Sequence, residues 1–379
     1  MKFLFAVHNY YDFYTRYLSE HPDLLKKSYE DQCIALYGQL FYESDNYVHG
    51  VRQLGHEAYQ VIMNCNPLQC KWAKEHSIIA PPTWLRYRPW RWYWTRILKQ
   101  PTPVERYQDK IFLEQIKRIR PDILYIFAGV PVTEWLLSEA RKYASYLVCE
   151  WSCGAPEDYP FHSYDLIISS AKPVIGYFRD KGYKVEYLPH AFDERFLTYI
   201  GKDNLRDRGA VFIGTVAPLG MRDRVQLLEY LCRHIDFDLY GGRTRYLPED
   251  SPLRRKSRGE AFGLDMYRLY SRYKIALHTH GVFAGDFVGA KRLFEVTGVG
   301  TMLLTDAKKD LGDFFEVGKE VVSYTDPADC LDKLRYYLTH EDECAKIAEA
   351  GQRRTLQDHT FKIRIKKLTD ILKRELNLK

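Results

Sequence analysis

The chain has 379 residues, 46% of them hydrophobic and 28% charged, with a net charge of +6 and eight cysteines. This is the composition of a soluble globular protein too long for one core, so two domains are expected. No run approaches the roughly 20 apolar residues of a membrane helix, the cysteines have neither the density of a disulfide scaffold nor a paired Cys-x-x-Cys spacing, and the mild charge neither demands nor excludes a polyanionic partner.

Lys2–Val7 is an apolar run of strand length that breaks into His8-Asn9-Tyr10 before a signal-peptide core forms, which predicts a cytoplasmic protein with reduced, mostly buried cysteines. Further strands are expected at 57–63, 122–127, 145–149, 166–169 and 184–188, separated by helix-length or loop-length segments. Fully apolar strands of this kind suit a parallel sheet covered on both faces. The polar stretch 201–209 reads as the interdomain linker. A second cycle follows, with strands at 210–215, 237–240, 275–278, 301–304 and 321–324, and helices at 327–338, 341–350 and 361–376. The alternation supports an α/β chain of two doubly wound domains facing a cleft. Their expected spans are 1–195 and 209–360, followed by a terminal helix over 361–379.

One segment is unusual in composition. Trp84 to Lys99 holds four of the seven tryptophans beside five basic residues. It is a candidate for peripheral contact with the inner face of a membrane or with an acceptor glycan, against an insertion packed on the first sheet. No nucleic-acid recognition motif accompanies it.

The most informative stretch is Lys291 to Asp306, read as a helix carrying Glu295, a glycine stop and a buried strand. In open parallel sheets the ligand crevice lies at the carboxyl ends of the strands, so Glu295 is the first candidate. Arg292, three residues earlier, shares its helix face, where the bland alternative is a mutual salt bridge. The turn after Gly214-Thr215 leads to a helix opening with Arg222 and Arg224. Cations at a helix start oppose the macrodipole, which favours a local anion such as a diphosphate. Gly281 to Gly289 is a glycine-bearing loop that lets backbone approach a ligand. His278 and His280 share a strand face; with no carboxylate or cysteine evident nearby, no metal is expected, and His280 at the strand end is a candidate polar contact to a ligand. Loops after strands make Tyr240 to Arg243, including Gly241, and Gly263 to Tyr267, including Met266, further ligand-contact candidates. On the first domain Asn9, Tyr10, Asp45 and Trp151 to Gly154 are candidates to line the other side of the cleft, each weighed against a structural role.

The second half resembles the CgeB-like glycosyltransferases, the spore maturation protein family, and more distantly the family-four retaining glycosyltransferases. The resemblance is carried by Phe212-Ile-Gly-Thr215 with Arg222 and Arg224, Met266-Tyr267, Lys274 to Leu277, Arg292 with Phe294-Glu295, Gly298, Gly300, Thr305-Asp306, Tyr336 to His340, Ile347-Ala348, Gly351-Gln352 and His359-Thr360. It extends more loosely to Gly55, Leu68-Gln69, Trp72, Tyr164-Asp165, Ser169-Ser170 and Leu188 to Asp193. It implies a GT-B fold of two Rossmann-like domains, with the helix over 361–379 crossing back to the first, and a UDP- or GDP-linked sugar donor used without metal. The acceptor is expected to be a glycan, protein or polymer. Glu295 would then hold the ribose hydroxyls and Arg292 the diphosphate. The family usually carries another glutamate eight residues upstream of the first, where this chain has Phe287, so the sugar contact passes to the adjacent Asp286. A retaining enzyme needs no protein base on the acceptor; an inverting one does, and Asp45 is the candidate. The alternative function is a non-catalytic glycan-binding or assembly protein that keeps the fold.

Overall fold

The computed structural model describes residues 1–8, 11–41, 44–78, 103–201, 206–217 and 221–378. Asn9, Tyr10 and the segment Trp84 to Lys99 lie outside the described residues. The chain divides into two compact units: Met1–Ser169 with Val174–Tyr187 and Leu368–Lys379, and Ser170–Pro173 with Leu188–Lys367.

The first unit is built on a six-stranded parallel sheet: β1 (Lys2–Val7), β2 (Glu57–Ile62), β3 (Ile123–Phe127), β4 (Tyr146–Glu150), β5 (Leu166–Ser169) and β6 (Val185–Tyr187), in the order β2-β1-β3-β4-β5-β6. Phe3 through Val7 are all 0% exposed. Burial of consecutive residues requires cover on both faces of the sheet, which is why these strands are apolar throughout rather than alternating. The strand order reverses between β1 and β3, where Phe3 lies between Ala58 and Ile123. At the carboxyl edge, Gly129 takes φ +84° with the His8 ring 3.7 Å from where its Cβ would stand.

The second unit holds β7 (Arg208–Thr215), β8 (Asp238–Gly242), β9 (Tyr273–Leu277), β10 (Met302–Asp306) and β11 (Val322–Tyr324), parallel and in the order β11-β10-β9-β7-β8. Phe212, Leu228, Leu239, Ile275, Met302 and Leu334 belong to one buried cluster. The order reverses between β7 and β9, so the crevice expected of such sheets opens beyond Thr215 and Leu277.

All eleven expected strands are present, their ends shifted by a residue or two. The expectation for 341–350 falls short, because that helix runs from Glu341 to Asp358. Gly351 does not end it. A Cβ there would stand 2.3 Å from the Glu320 carbonyl oxygen, so the glycine serves close packing. The stretch expected as a linker is anchored at its described end: the Arg206 guanidinium donates to Thr301 Oγ1 at 2.7 Å, to the Val299 carbonyl at 2.8 Å and to the Tyr273 carbonyl at 3.1 Å. All eight cysteines are free, and among the described residues no helix is long and apolar enough to cross a membrane.

Candidate functional site

Parallel strands align their carboxyl ends, so side chains just past β7, β9 and β10 collect at one edge of the second unit. Leu304 pairs with Leu277, which sets Thr305 and Asp306 beside His278 and His280. The short helix Arg292–Gly298 supplies Arg292 and Glu295 at its start.

Glu295 is buried. Its Oε1 accepts a hydrogen bond from the Tyr267 hydroxyl at 3.0 Å and its Oε2 one from Arg292 Nη1 at 2.9 Å. Arg292 also reaches the Met266 sulfur and lies over the Tyr270 ring. Four residues named from sequence, Met266, Tyr267, Arg292 and Glu295, therefore form one network. The i, i+3 salt bridge set out above as the bland alternative is made, with a phenol added on its other side. The Tyr267 phenol is pushed well above its ordinary range by burial first and by the Glu295 charge second, so it acts as a donor.

Arg224 spans the strand-order reversal. Its Nη1 donates to the Thr215 carbonyl at 3.0 Å and its Nη2 to the Thr279 carbonyl at 2.6 Å, tying the ends of β7 and β9. Burial, then the nearby Arg292, lower its pKa. Arg222, two residues earlier, is exposed. Gly214 and Gly241 face each other across β7 and β8. A Cβ on Gly241 would come within 2.9 Å of Thr244.

A carboxylate does accompany the two histidines, which corrects the expectation that none lies near them. Asp306 Oδ1 accepts from His280 Nδ1 at 2.7 Å and from the His280 backbone amide at 2.9 Å, and Lys308 pairs with its other oxygen at 3.1 Å. His278 Nδ1 lies 2.9 Å from Thr305 Oγ1. Sequence reasoning had both segments but not the strand order that joins them; the His-x-His after one apolar strand and the Thr-Asp ending another were the available signal. His278, His280 and Asp306 each bring one ligand-type atom within 4.8 Å of the others. Here His280 Nδ1 and Asp306 Oδ1 are bonded to each other, His278 Nδ1 lies beside Thr305 Oγ1, and Lys308 pairs with Asp306.

Asp286 stands apart from this network in its bonding. It is exposed and pairs with Lys309 at 2.7 Å, a contact that lowers its pKa. Its loop is pinned elsewhere: the Val288 amide donates to Asp310 Oδ1 at 2.7 Å, and Lys172 pairs with Asp310 Oδ2 at 2.9 Å. Asp45 belongs to the first unit and immediately precedes the helix Asn46–Gln53. Trp151 is buried, and its indole donates to the carbonyls of Cys153 and Gly154, holding a turn. Sequence reasoning missed Glu150 at the end of β4, whose Oε2 accepts from Tyr125 at 2.9 Å and Tyr47 at 3.2 Å.

Residues 222–370 match the family model described as Glycosyl transferase-like. No curated protein matches the sequence. Among solved structures, a glycosyltransferase from Rickettsia africae is similar over 100% of this chain and 99% of its own, with 13% identity and a TM-score of 0.60. Anabaena HepE, in complex with UDP-glucose, covers 99% of this chain and 100% of its own at 12% identity and a TM-score of 0.59. Sucrose-phosphate synthase from Thermosynechococcus elongatus covers both chains fully at 10% identity and a TM-score of 0.59. With its two parallel sheets of six and five strands, the chain has the GT-B fold of these glycosyltransferases.

Proposed function

We propose that this chain is a CgeB-like glycosyltransferase that moves a sugar from a UDP- or GDP-linked donor to a glycan, protein or surface-polymer acceptor, without metal and with retention. The observation that carries the reading is the buried Glu295 carboxylate, held between a phenol and a guanidinium at the edge where the strand order reverses. A carboxylate so placed can exchange its two donors for the two hydroxyls of a ribose, and Arg292 is then free to turn to the diphosphate. Arg224, Arg292 and Lys308 stand there against Glu295 and Asp306, a surplus of positive charge suited to a leaving group whose negative charge grows. The UDP-glucose complex of the similar Anabaena protein makes UDP-sugars the first donors to try.

In the retaining step the bond from the anomeric carbon to the phosphate oxygen breaks. A bond from the acceptor oxygen forms on the same face, and the departing phosphate takes the acceptor's proton. His280 and Asp286 are assigned to the sugar side, Gly214, Thr215, Arg222 and Arg224 to the phosphates, and Gly241 and Met266 to the base and ribose. Release of nucleoside diphosphate from UDP- and GDP-sugars in the presence of a chelator tests the proposal. Release lost in Glu295→Ala is expected, and release that requires added divalent metal contradicts it.

A second reading draws on Phe287. It occupies the position of the family's glutamate, its ring lies 5.7 Å from the Lys172 ammonium, and the neighbouring Asp286 is paired with Lys309. A non-catalytic binding or assembly protein would show donor binding with no nucleotide release for any acceptor.

A further inference from the structure

We propose that the carboxyl edge of the first unit's sheet binds one uncharged sugar ring of the acceptor, with the Glu150 carboxylate and the His8 imidazole taking hydroxyls on opposite sides and Gly129 leaving the floor bare between them. This names the acceptor site for the transfer proposed above and rests on that reading.

A doubly wound sheet takes its ligand beyond the strand ends where the strand order reverses. In the first unit that point lies between β1 and β3, with β4 next in line. Ala6 is level with Ile126 and Ile126 with Cys149, so Glu150 stands one residue past that line and His8 two. The strand between them continues into Gly129, which is exposed and takes φ +84°. A side chain is strained in that conformation, so the middle of the three positions stays without one. β1 and β4 are two sheet spacings apart, about 9–10 Å. One pyranose ring fits that interval with a hydrogen bond of about 2.8 Å at either end.

Glu150 is half-buried, and two phenols hold it from the sheet side. Its Oε2 accepts from the Tyr125 hydroxyl at 2.9 Å and from the Tyr47 hydroxyl at 3.2 Å. The Phe127 ring lies 4.9 Å from that of Tyr47 and 5.1 Å from that of Tyr125, so packing fixes both donors. Burial first and the Glu150 charge second push the Tyr125 phenol well above its ordinary range, so it donates and does not ionise. The oxygen of a glutamine would serve both phenols. A carboxylate against an aromatic wall carries a desolvation cost instead, and what it adds is a stronger acceptor for hydroxyls and repulsion of anions. His8 comes from the other side. Burial lowers its pKa, and no hydrogen bond or charge of a described residue acts against that. The ring is therefore neutral at pH about 7, with one nitrogen to donate and one to accept. It packs along Gly129, its Nδ1 3.7 Å from where a Cβ would stand. One carboxylate and one neutral imidazole suit an uncharged polyol and oppose a phosphate or a uronate.

The experiment is titration by saturation-transfer NMR of the full chain, alone and with UDP, using the methyl glycosides of glucose, galactose and mannose and their uronic-acid and 6-phosphate counterparts. The native protein should bind at least one neutral glycoside and hold its anionic counterparts about tenfold more weakly or worse. Glu150→Gln keeps an oxygen for the phenols and removes the charge. It should weaken the neutral glycoside about tenfold and narrow the preference over anions to within about threefold. His8→Ala should weaken the neutral glycoside by about fivefold to tenfold and keep the preference. A carboxylate that only braced the phenols would lower the melting temperature in Glu150→Gln and leave the sugar preference as it was. His8→Ala leaves the phenol contacts untouched, so it decides the matter should Glu150→Gln fail to fold.

No glycoside bound by the native protein, anions bound as well as neutral sugars, or a preference unchanged in Glu150→Gln each overturns this inference. UDP bound in the same samples would leave the donor reading standing. Glycosides bound with the expected preference by a chain that binds no UDP would keep this site and favour the non-catalytic reading.

Discussion

The Tyr267 hydroxyl donates to Glu295 Oε1 at 3.0 Å from a helix that lies 28 residues earlier in the chain. Both groups are buried, and the Tyr267 ring stacks on Phe196 at a centroid distance of 3.5 Å, so the phenol is fixed before any ligand arrives. Tyr267→Phe keeps the ring and removes the donor. The expected result is a loss of about 1–3 kcal/mol of stability, the cost of leaving a buried acceptor unmatched. UDP affinity is expected to weaken about tenfold as the carboxylate loses its orientation. Unchanged melting and affinity would show that Arg292 alone orients Glu295.

Two glycines predict opposite signs. Gly351→Ala places a methyl 2.3 Å from a backbone carbonyl oxygen that cannot retreat, and should cost about 1–3 kcal/mol by overpacking. Gly176 lies in the helix Lys172–Asp180 with nothing within 4 Å of its would-be Cβ. Gly176→Ala should stabilise by about 0.5–1 kcal/mol through the unfolded chain's lost freedom. Urea midpoints of the two variants check both.

Acid should destabilise the fold through buried histidines. Burial, then the Lys291 and Arg364 charges, depress His190 from 6.5 to about 3. Burial depresses His359 from 6.5 to about 4, against a hydrogen bond to the Phe314 carbonyl that acts the other way. Below pH 6.5 the unfolded chain binds these protons and the folded one does not, so stability falls as pH drops from about 6.5 toward 4. Denaturant midpoints at pH 7 and 5 should show the fall, with a shallower slope in His190→Asn. A midpoint independent of pH over that interval would contradict it.

The alternation of apolar strands and helices was legible because residues such as Phe3 to Val7 are buried on both faces and carry no polar alternation to confuse the period. Glu295 and Arg292 were legible because i and i+3 on one helix meet whatever the fold does. The His280–Asp306 pair was not, since it depends on β10 lying beside β9, and lateral strand order leaves no local trace in sequence. Gly351 was ambiguous for another reason. A glycine that ends a helix and one that admits a neighbouring backbone look alike until the neighbour, Glu320, is in place. The likeness of Asp286 to a sugar-contacting acid rested on sequence adjacency to Phe287, whereas its exposure and its Lys309 partner follow from the path of the loop.

Asp310 should govern the loop before Arg292. It holds the Val288 amide and pairs with Lys172, so Asp310→Ala frees the loop without touching Glu295. Faster hydrogen exchange at Val288 is expected, with KM for a nucleotide sugar raised about threefold to tenfold. Protection retained at that amide would contradict the anchoring role.

The most direct measurement is calorimetric binding of UDP, GDP, dTDP and ADP in chelator to the native chain and to Glu295→Ala. Binding of one nucleotide by the native chain, weakened about a hundredfold or more in the variant, is the predicted result for a bidentate carboxylate contact removed from a buried site. A nucleotide bound equally well by both proteins would place the donor elsewhere and contradict the central role of Glu295.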